Sequence, residues 1–355
     1  MKIYDHENHQ PQLLKQDRIM GVNAMWGTIL TILIGGVIGG DAAYNAIVKH
    51  RLNQWESHVS RDANGIRQGC QEFTTGNGDI ALLMVHGFGD SPALYTRFAP
   101  ALAEMGFTCK AMRLPGFAEP MTEYAKTSLN LWLEALDKEV NQLGQQHSKV
   151  WIVAHSLGGA IAIRYLMEDT IKQSSSANCK QTLNGVDGVI LLAPFLGVSS
   201  RRSPLFPART WHKIGNRCLF ITKIFENYLP IDAHDPDAKK SHEAYCDRFI
   251  PRNIYSELFK LLDSLKEKSG EFNLPMLMML SIDDEVIEPK SAEQFYQESS
   301  STARGATSAR GAPSRKRLIV LENSGHVIPL DYEWKEAVSA ISAFIYENND
   351  DVIGR

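Results

Sequence analysis

The sequence predicts an α/β fold, an open and mostly parallel sheet flanked by helices, on three observations. Apolar runs of strand length recur along the chain, longer amphipathic segments separate them, and the alternation continues to the C-terminus. The runs are IALLMVH from Ile80, TCKAMRL from Thr108, KVWIVAH from Lys149, GVILLAP from Gly188, PMLMMLSI from Pro275 and RLIVLE from Arg317. Runs so uniformly apolar suit strands covered on both faces. Between them, Leu129, Trp132, Leu133, Leu136 and Val140 share one helical face, and Trp334, Ala337, Val338, Ile341 and Ile345 share another. Ligands of open α/β sheets sit beyond the carboxyl ends of the strands, so function is sought in the residues that follow each run.

In chain order, residues 1–18 form a mixed polar and charged tail. No residue between Arg18 and Asp41 is charged, and GVNAMWGTILTILIGGVIGG is long enough to cross a hydrocarbon layer of roughly 30 Å as a helix. A single-pass N-terminal transmembrane helix over 19–40 is expected, placing the protein at a membrane. A cleaved signal peptide is the rival, but its apolar core is usually about 7–15 residues long and close to the N-terminus. Lys2, Lys15 and Arg18 before the segment, against Lys49 and Arg51 after it, bias the N-terminus only weakly toward the inside. Residues 41–63 read as a connector, and a catalytic domain follows over 64–355.

Three stretches interrupt the alternation. Gln173 to Asn184 is a polar loop, and 299–316 (SSSTARGATSARGAPSRK) has the composition of a disordered one. The third, 195–273, separates two strands by far more chain than a connection needs and mixes aromatics with charges. It reads as an inserted, mainly helical cap over the strand ends.

The composition narrows the function. A chain of 355 residues with a formal net charge of −4 has no basic field for nucleic acid, so that class of partner is excluded. Cys70, Cys109, Cys179, Cys218 and Cys246 show no CxxC spacing, which argues against a zinc site and against a disulfide framework.

The chemistry centres on WIVAHSLGGA, where Ser156 stands between Ala154 and Gly158 as an apolar strand gives way to a helical pattern. This is G-x-S-x-G with alanine in the first place. A serine on so sharp a turn needs small neighbours to stand clear of the sheet, and the helix that follows offers its positive end to developing negative charge. The pattern alone fits a structural turn as well as a nucleophile; the order strand, turn, helix favours the nucleophile. A serine hydroxyl needs a base and an orienting acid. NSGHVIPLD begins where RLIVLE ends and supplies His326; SIDDEVIEP begins where PMLMML ends and supplies Asp283 or Asp284, of which only one can face the site. MVHGFGDSP leaves the first strong strand with glycines that let the Phe88 N–H turn inward, and with the N–H of Leu157 it would form a two-donor oxyanion hole. His86 and His155 have no second ligand at metal spacing and read as packing or hydrogen-bonding residues.

With HGFGD, AHSLGG, DDEVIEP and SGHVIPLD in this order, the sequence resembles the α/β-hydrolase superfamily, most of all bacterial carboxylesterases and monoacylglycerol lipases, over about Ile80 to Ile345 apart from the two low-complexity loops and most of the cap. The resemblance implies an α/β-hydrolase fold, into which the cap read at 195–273 is inserted, and selects Asp284 over Asp283. It also implies a serine hydrolase acting through an acyl-enzyme on carboxylic esters, without metal or organic cofactor. The apolar cap and the expected anchor favour lipid-like esters such as monoacylglycerol or lysophospholipid. A thioesterase, an acyltransferase or a carbon–carbon hydrolase would use the same triad, and a membrane-anchored scaffold without activity is the reading from another class.

Overall fold

Residues 10–173, 185–203, 205–228, 230–266, 274–299 and 316–349 are described by the computed structural model, with side chains from residue 33 onward except at 168–173. The N-terminal half comprises α1 (Gln10–Glu56), β1 (Phe73–Thr75), β2 (Ile80–Val85), α2 (Phe98–Glu104), β3 (Phe107–Met112), α3 (Met121–Tyr124), α4 (Leu129–Gly144), β4 (Lys149–His155) and α5 (Leu157–Gln173). Then follow β5 (Gly188–Leu192), α6 (Ala208–Cys218), β6 (Ile224–Glu226), α7 (Pro236–His242), β7 (Phe249–Pro251), α8 (Arg252–Lys266), β8 (Met276–Ser281), α9 (Pro289–Glu298), β9 (Lys316–Leu321) and α10 (Trp334–Glu347).

The six expected strands are β2, β3, β4, β5, β8 and β9, all parallel, in the sheet order β1-β3-β2-β4-β5-β8-β9. Their burial explains their composition: β8 is buried at every position and β2 and β4 at all but the first. Antiparallel β1 has no such signal, because it is three residues long and half-exposed at the sheet edge. Strand order reverses between β2 and β4, whose registers set Val85 beside Ala154. The loops after these two strands therefore flank the crevice at which such sheets bind ligands. α4 buries Trp132, Leu136, Val140 and Leu143, and its first turn is capped by the Ser128 hydroxyl, which accepts the Leu131 N–H.

Two boundaries differ from expectation. The predicted insertion 195–273 contains α6, α7 and an antiparallel β6–β7 ribbon, but α8 buries Leu258, Phe259, Leu261 and Leu262 in the main core. It is a helix of the sheet's covering layer, and as a structural unit the cap ends near Pro251. Likewise α1 runs unbroken through the expected boundary between anchor and connector. Beyond residue 40 it packs on the cap: Val48 and Leu52 bury against Phe249, with Tyr44, Trp55 and Ile224 around them. The Asp41 carboxylate accepts the N–H groups of Phe220, Ile221 and Thr222 at 2.6, 2.7 and 3.1 Å. Burial opposes its charge, but these donors outweigh burial and lower its pKa to about 2.

The transmembrane helix expected over 19–40 receives no support: among the described residues no helix is long and apolar enough to cross a membrane. The side chains of residues 19–32 lie outside the described residues, and in the remainder Leu33, Ile34, Val37 and Ile38 are exposed. Most of the polar loop at 173–184 and of the low-complexity loop at 299–316 lies outside them too.

The turn between β4 and α5 is the tightest joint of the fold. Ser156 has φ +50°, a left-handed conformation that side chains other than glycine's seldom adopt. Gly158 then passes so close to β2 that a Cβ would meet the carbonyl oxygens of Val85 and His86 at 2.4 and 2.7 Å. Gly158→Ala is expected to lower the unfolding free energy by about 1–3 kcal/mol in urea titration, since backbone rather than a side chain must yield. Gly144→Ala, at a position with open space around it, is expected to be neutral or slightly stabilising in the same assay.

Candidate active site

Each expected residue stands at the carboxyl end of its own strand, and the three side chains meet. Ser156 follows β4; its N–H donates to Leu192 O at 3.0 Å and its carbonyl accepts the Phe195 N–H at 2.9 Å. The end of β5 therefore grips its backbone from both sides. His326 lies in the loop after β9, with Nε2 2.9 Å from Ser156 Oγ and Nδ1 2.7 Å from Asp284 Oδ2. Ser156, Asp284 and His326 are all buried. The other oxygen of Asp284 accepts the N–H groups of Val286 and Ile287 at 2.8 and 2.9 Å. Burial raises this carboxyl, yet His326 and the two N–H groups prevail and hold it below the usual carboxylate range. Asp283, its neighbour, is exposed, so of the two acids only Asp284 faces the histidine.

Of the expected oxyanion donors, Leu157 directly follows Ser156 and Phe88 borders the same cavity. Leu157 opens α5, and among the described residues neither its N–H nor that of Phe88 donates to another protein group. The Phe88 ring packs on Phe117 and Tyr255, with centroids 6.2 and 5.4 Å away.

His86 and His155 take the hydrogen-bonding roles expected of them. His86 accepts the Leu114 N–H on Nε2 at 3.1 Å and turns Nδ1 to Gly87 O at 2.9 Å. His155 donates from Nε2 to the carbonyl of His326 at 3.0 Å, while its buried Nδ1 has no partner among the described residues. That nitrogen lies against Gly87, where a Cβ would meet it at 2.9 Å. Sequence reasoning missed Asp331, the last residue of SGHVIPLD. This fully buried carboxylate accepts the N–H groups of Gly325, His234, Asp235 and Tyr332, joining the histidine loop to the cap. Asp232 adds a second tie: its carbonyl accepts the Val327 N–H at 3.1 Å and its carboxylate the Glu285 N–H at 2.8 Å. An acid directly after a histidine loop was the available signal, but only the fold brings 232–235 to it.

Above the array lies a cavity of about 1340 Å³, reached by Ser156 and His326 and walled by Phe195, Trp211, Phe225, Tyr255, Leu258 and Phe259. Of the acidic residues that line it, Glu226 pairs with Arg51 and Arg248, Asp247 pairs with Arg67, Asp90 is hydrogen-bonded to His242, Asp232 accepts the Glu285 N–H, and Glu243 is exposed.

Burial lowers His86 to about 4 and, with help from neighbouring His326, His155 to about 3, from an ordinary value of 6.5. An unfolded chain takes up these protons below pH 6.5 and the folded one does not, so their contribution is complete above that pH and is lost as pH falls toward 3. Each such histidine is expected to steepen the acid loss of stability by about 1.4 kcal/mol per pH unit. Asp247, pushed up by burial to about 6, acts in the opposite sense between pH 6 and its ordinary 3.8. The share of His155 is therefore the difference between wild type and His155→Gln in urea melts from pH 7 to 4.5, and wild type is expected to have the steeper slope.

Comparisons with known proteins place the chain in a family and a fold. Residues 77–312 match the Hydrolase_4 family, described as serine aminopeptidase, S33. The chain is similar to a thermostable monoacylglycerol lipase of Bacillus sp. strain H-257, 24% identical over 274 residues, covering 76% of this chain and 91% of that one. It is also similar to a carboxylesterase of Bacillus subtilis, 21% identical over 262 residues, covering 74% and 90%. Among solved structures, the monoacylglycerol lipase of Paleococcus ferrophilus superimposes with a TM-score of 0.61 at 20% identity, covering 78% of this chain and 98% of that one. With this match over residues 77–312 and a mostly parallel sheet flanked by helices, the chain belongs to the serine aminopeptidase S33 family and has the α/β-hydrolase fold.

Proposed function

We propose that this protein is a serine hydrolase that cleaves carboxylic esters of lipid type, such as monoacylglycerols or lysophospholipids, through an acyl-enzyme. The observation that carries the reading is the Ser156–His326–Asp284 relay opening into a large cavity walled by aromatic and aliphatic side chains. In this reading His326 Nε2 takes the Ser156 proton as Oγ attacks the ester carbonyl. The same nitrogen then returns the proton to the departing alcohol. Asp284 accepts the Nδ1–H, fixes the tautomer and stabilises the imidazolium. The N–H groups of Phe88 and Leu157 hold the oxyanion, each worth about 3–4 kcal/mol in the transition state. Water activated by His326 then releases the acid.

An apolar chain fits this cavity better than the free amine of a peptide. Two buried acids of its wall, Glu226 and Asp247, are neutralised by arginines, and most of the remaining wall is aromatic or aliphatic, which an acyl chain matches and a charged amine does not. The similarity to a monoacylglycerol lipase and a carboxylesterase supports the same choice. Placement at a lipid surface through the N-terminal helix belongs to the proposal, motivated by exposed Leu33, Ile34, Val37 and Ile38 just before the Asp41 clasp.

A fluorophosphonate probe is expected to label wild type and to fail on Ser156→Ala and His326→Ala. Turnover across p-nitrophenyl esters and monoacylglycerols of increasing chain length separates ester from thioester and carbon–carbon chemistry, and no ester turnover on any of them would sink the reading. Asp284→Asn is expected to cut kcat by about three to four orders of magnitude, and Asp283→Asn to leave it within about twofold; the reverse ranking excludes Asp284 as the acid. Full-length protein is expected to sediment with membranes through a carbonate wash, and its recovery in the supernatant refutes the placement.

A further inference from the structure

A second constellation, separate from Ser156, lies where the cap meets the loop carrying Phe88. Asp90 follows that loop, His242 ends α7, and Cys246 stands four residues later. One carboxylate oxygen, one imidazole nitrogen and one thiol sulfur lie within 4.8 Å of one another. We propose that these three residues bind one divalent cation of the zinc class.

The donor set is the first argument. Calcium and magnesium take oxygen ligands, whereas carboxylate, imidazole and thiolate together suit a tetrahedral d-block ion of borderline softness. His242-x-x-x-Cys246 is also a ligand spacing: a helical turn separates the two, and the Cys246 thiol lies 3.7 Å from the His242 carbonyl. Charge is the second argument. A thiolate, a carboxylate and a neutral imidazole balance a double positive charge. A neighbouring carboxylate, Asp247, is matched by Arg67, whose guanidinium also holds the carbonyls of Ala244 and Cys246 and so fixes the backbone under the thiol. Support around the ligands is the third. Asp90 is oriented by the N–H of Ser91 at 2.7 Å, and the Asp247 N–H donates to Gly89 O at 2.7 Å, tying the two segments together beside the site.

Asp90, His242 and Cys246 all border the large cavity, which provides a route of entry and leaves the fourth position to water. Without a cation, His242 Nε2 and Asp90 Oδ1 share a hydrogen bond of 2.8 Å. On loading, the imidazole proton moves to Nδ1, the thiol proton leaves to solvent, and the cation bridges Nε2, the carboxylate and the sulfur. The bridge would join the cap to the chain two residues after Phe88. The five cysteines show no CxxC pair, so a ligand set assembled from positions 90, 242 and 246 escapes a spacing search.

Cobalt(II) is the probe, because thiolate coordination produces a charge-transfer absorption in the near ultraviolet. Purified full-length protein, cleared of metal, is expected to develop this band to saturation at one equivalent and to lose it on addition of zinc. Cys246→Ser and His242→Gln are expected to abolish the band, and Cys70→Ser to retain it. No band in wild type, or a band that survives Cys246→Ser, overturns the proposal. If either variant fails to fold by thermal melt, peptide mass spectrometry of wild type decides: cobalt is expected to slow iodoacetamide alkylation of Cys246 by about tenfold or more while Cys218 is unaffected. Equal alkylation with and without cobalt overturns it. None of these readouts depends on ester hydrolysis, so the result stands apart from the fate of the proposed activity.

Discussion

The turn from β4 through Ser156 into α5 is the constraint on which the rest of the site depends. The chain reverses direction there within a few residues, with Ser156 at φ +50° and Gly158 pressed onto the carbonyls of Val85 and His86. That contact seats the first turn of α5 against the end of β2 and the start of the loop that carries Phe88. The strain of a left-handed serine, of order 1–3 kcal/mol, is held by the hydrogen bonds that the end of β5 makes to its N–H and its carbonyl. Because neighbouring strands are parallel, their carboxyl ends share one edge, and the loops after β8 and β9 deliver Asp284 and His326 to the same place.

Buried carboxylates fasten the outer parts to this edge. Asp41, Asp331 and Asp284 are sealed from water, and each is satisfied mainly by backbone N–H groups from a segment distant in sequence or from its own turn. Such an acceptor is stable only while all its donors are in place, since an orphaned buried partner costs about 1–3 kcal/mol. The cap is therefore stitched at several points: to the N-terminal helix through Asp41 and the Arg51–Glu226–Arg248 cluster, to the histidine loop through Asp331 and Asp232, and to the core through Arg67 and Asp247. Displacing α1 would release donors on the cap and withdraw Trp55 from the cavity, so the N-terminal helix and the cavity wall are coupled.

The buried histidines divide between structure and chemistry by their partners. His86 and His155 meet carbonyls and an amide, so burial keeps them neutral far below their ordinary range. His326 instead stands between a hydroxyl and an ionised carboxyl, the arrangement that stabilises an imidazolium when it forms. His155 also holds the His326 carbonyl, so the residue just before the serine helps to aim the histidine from across the sheet.

What the sequence determined by itself was whatever local physics dictates. Uniform apolar runs marked the six parallel strands, helical spacing marked α4 and α10, and the small residues around Ser156 marked a turn that tolerates nothing larger. Each candidate residue could be placed at the end of a strand from these patterns alone. The tertiary structure decided what depends on long-range contact. It brought Ser156, Asp284 and His326 to hydrogen-bonding distance and turned Asp284 rather than Asp283 to the site. It joined Asp331 to 232–235 and Asp41 to 220–222, and it drew α8 from the expected insertion into the core. It also set Asp90 beside His242 and Cys246. Periodicity reports which face of an element is buried, but a hydrogen bond or a ligand set between residues 90 and 246 leaves no periodic trace, because its partners are selected by the path of the chain in space.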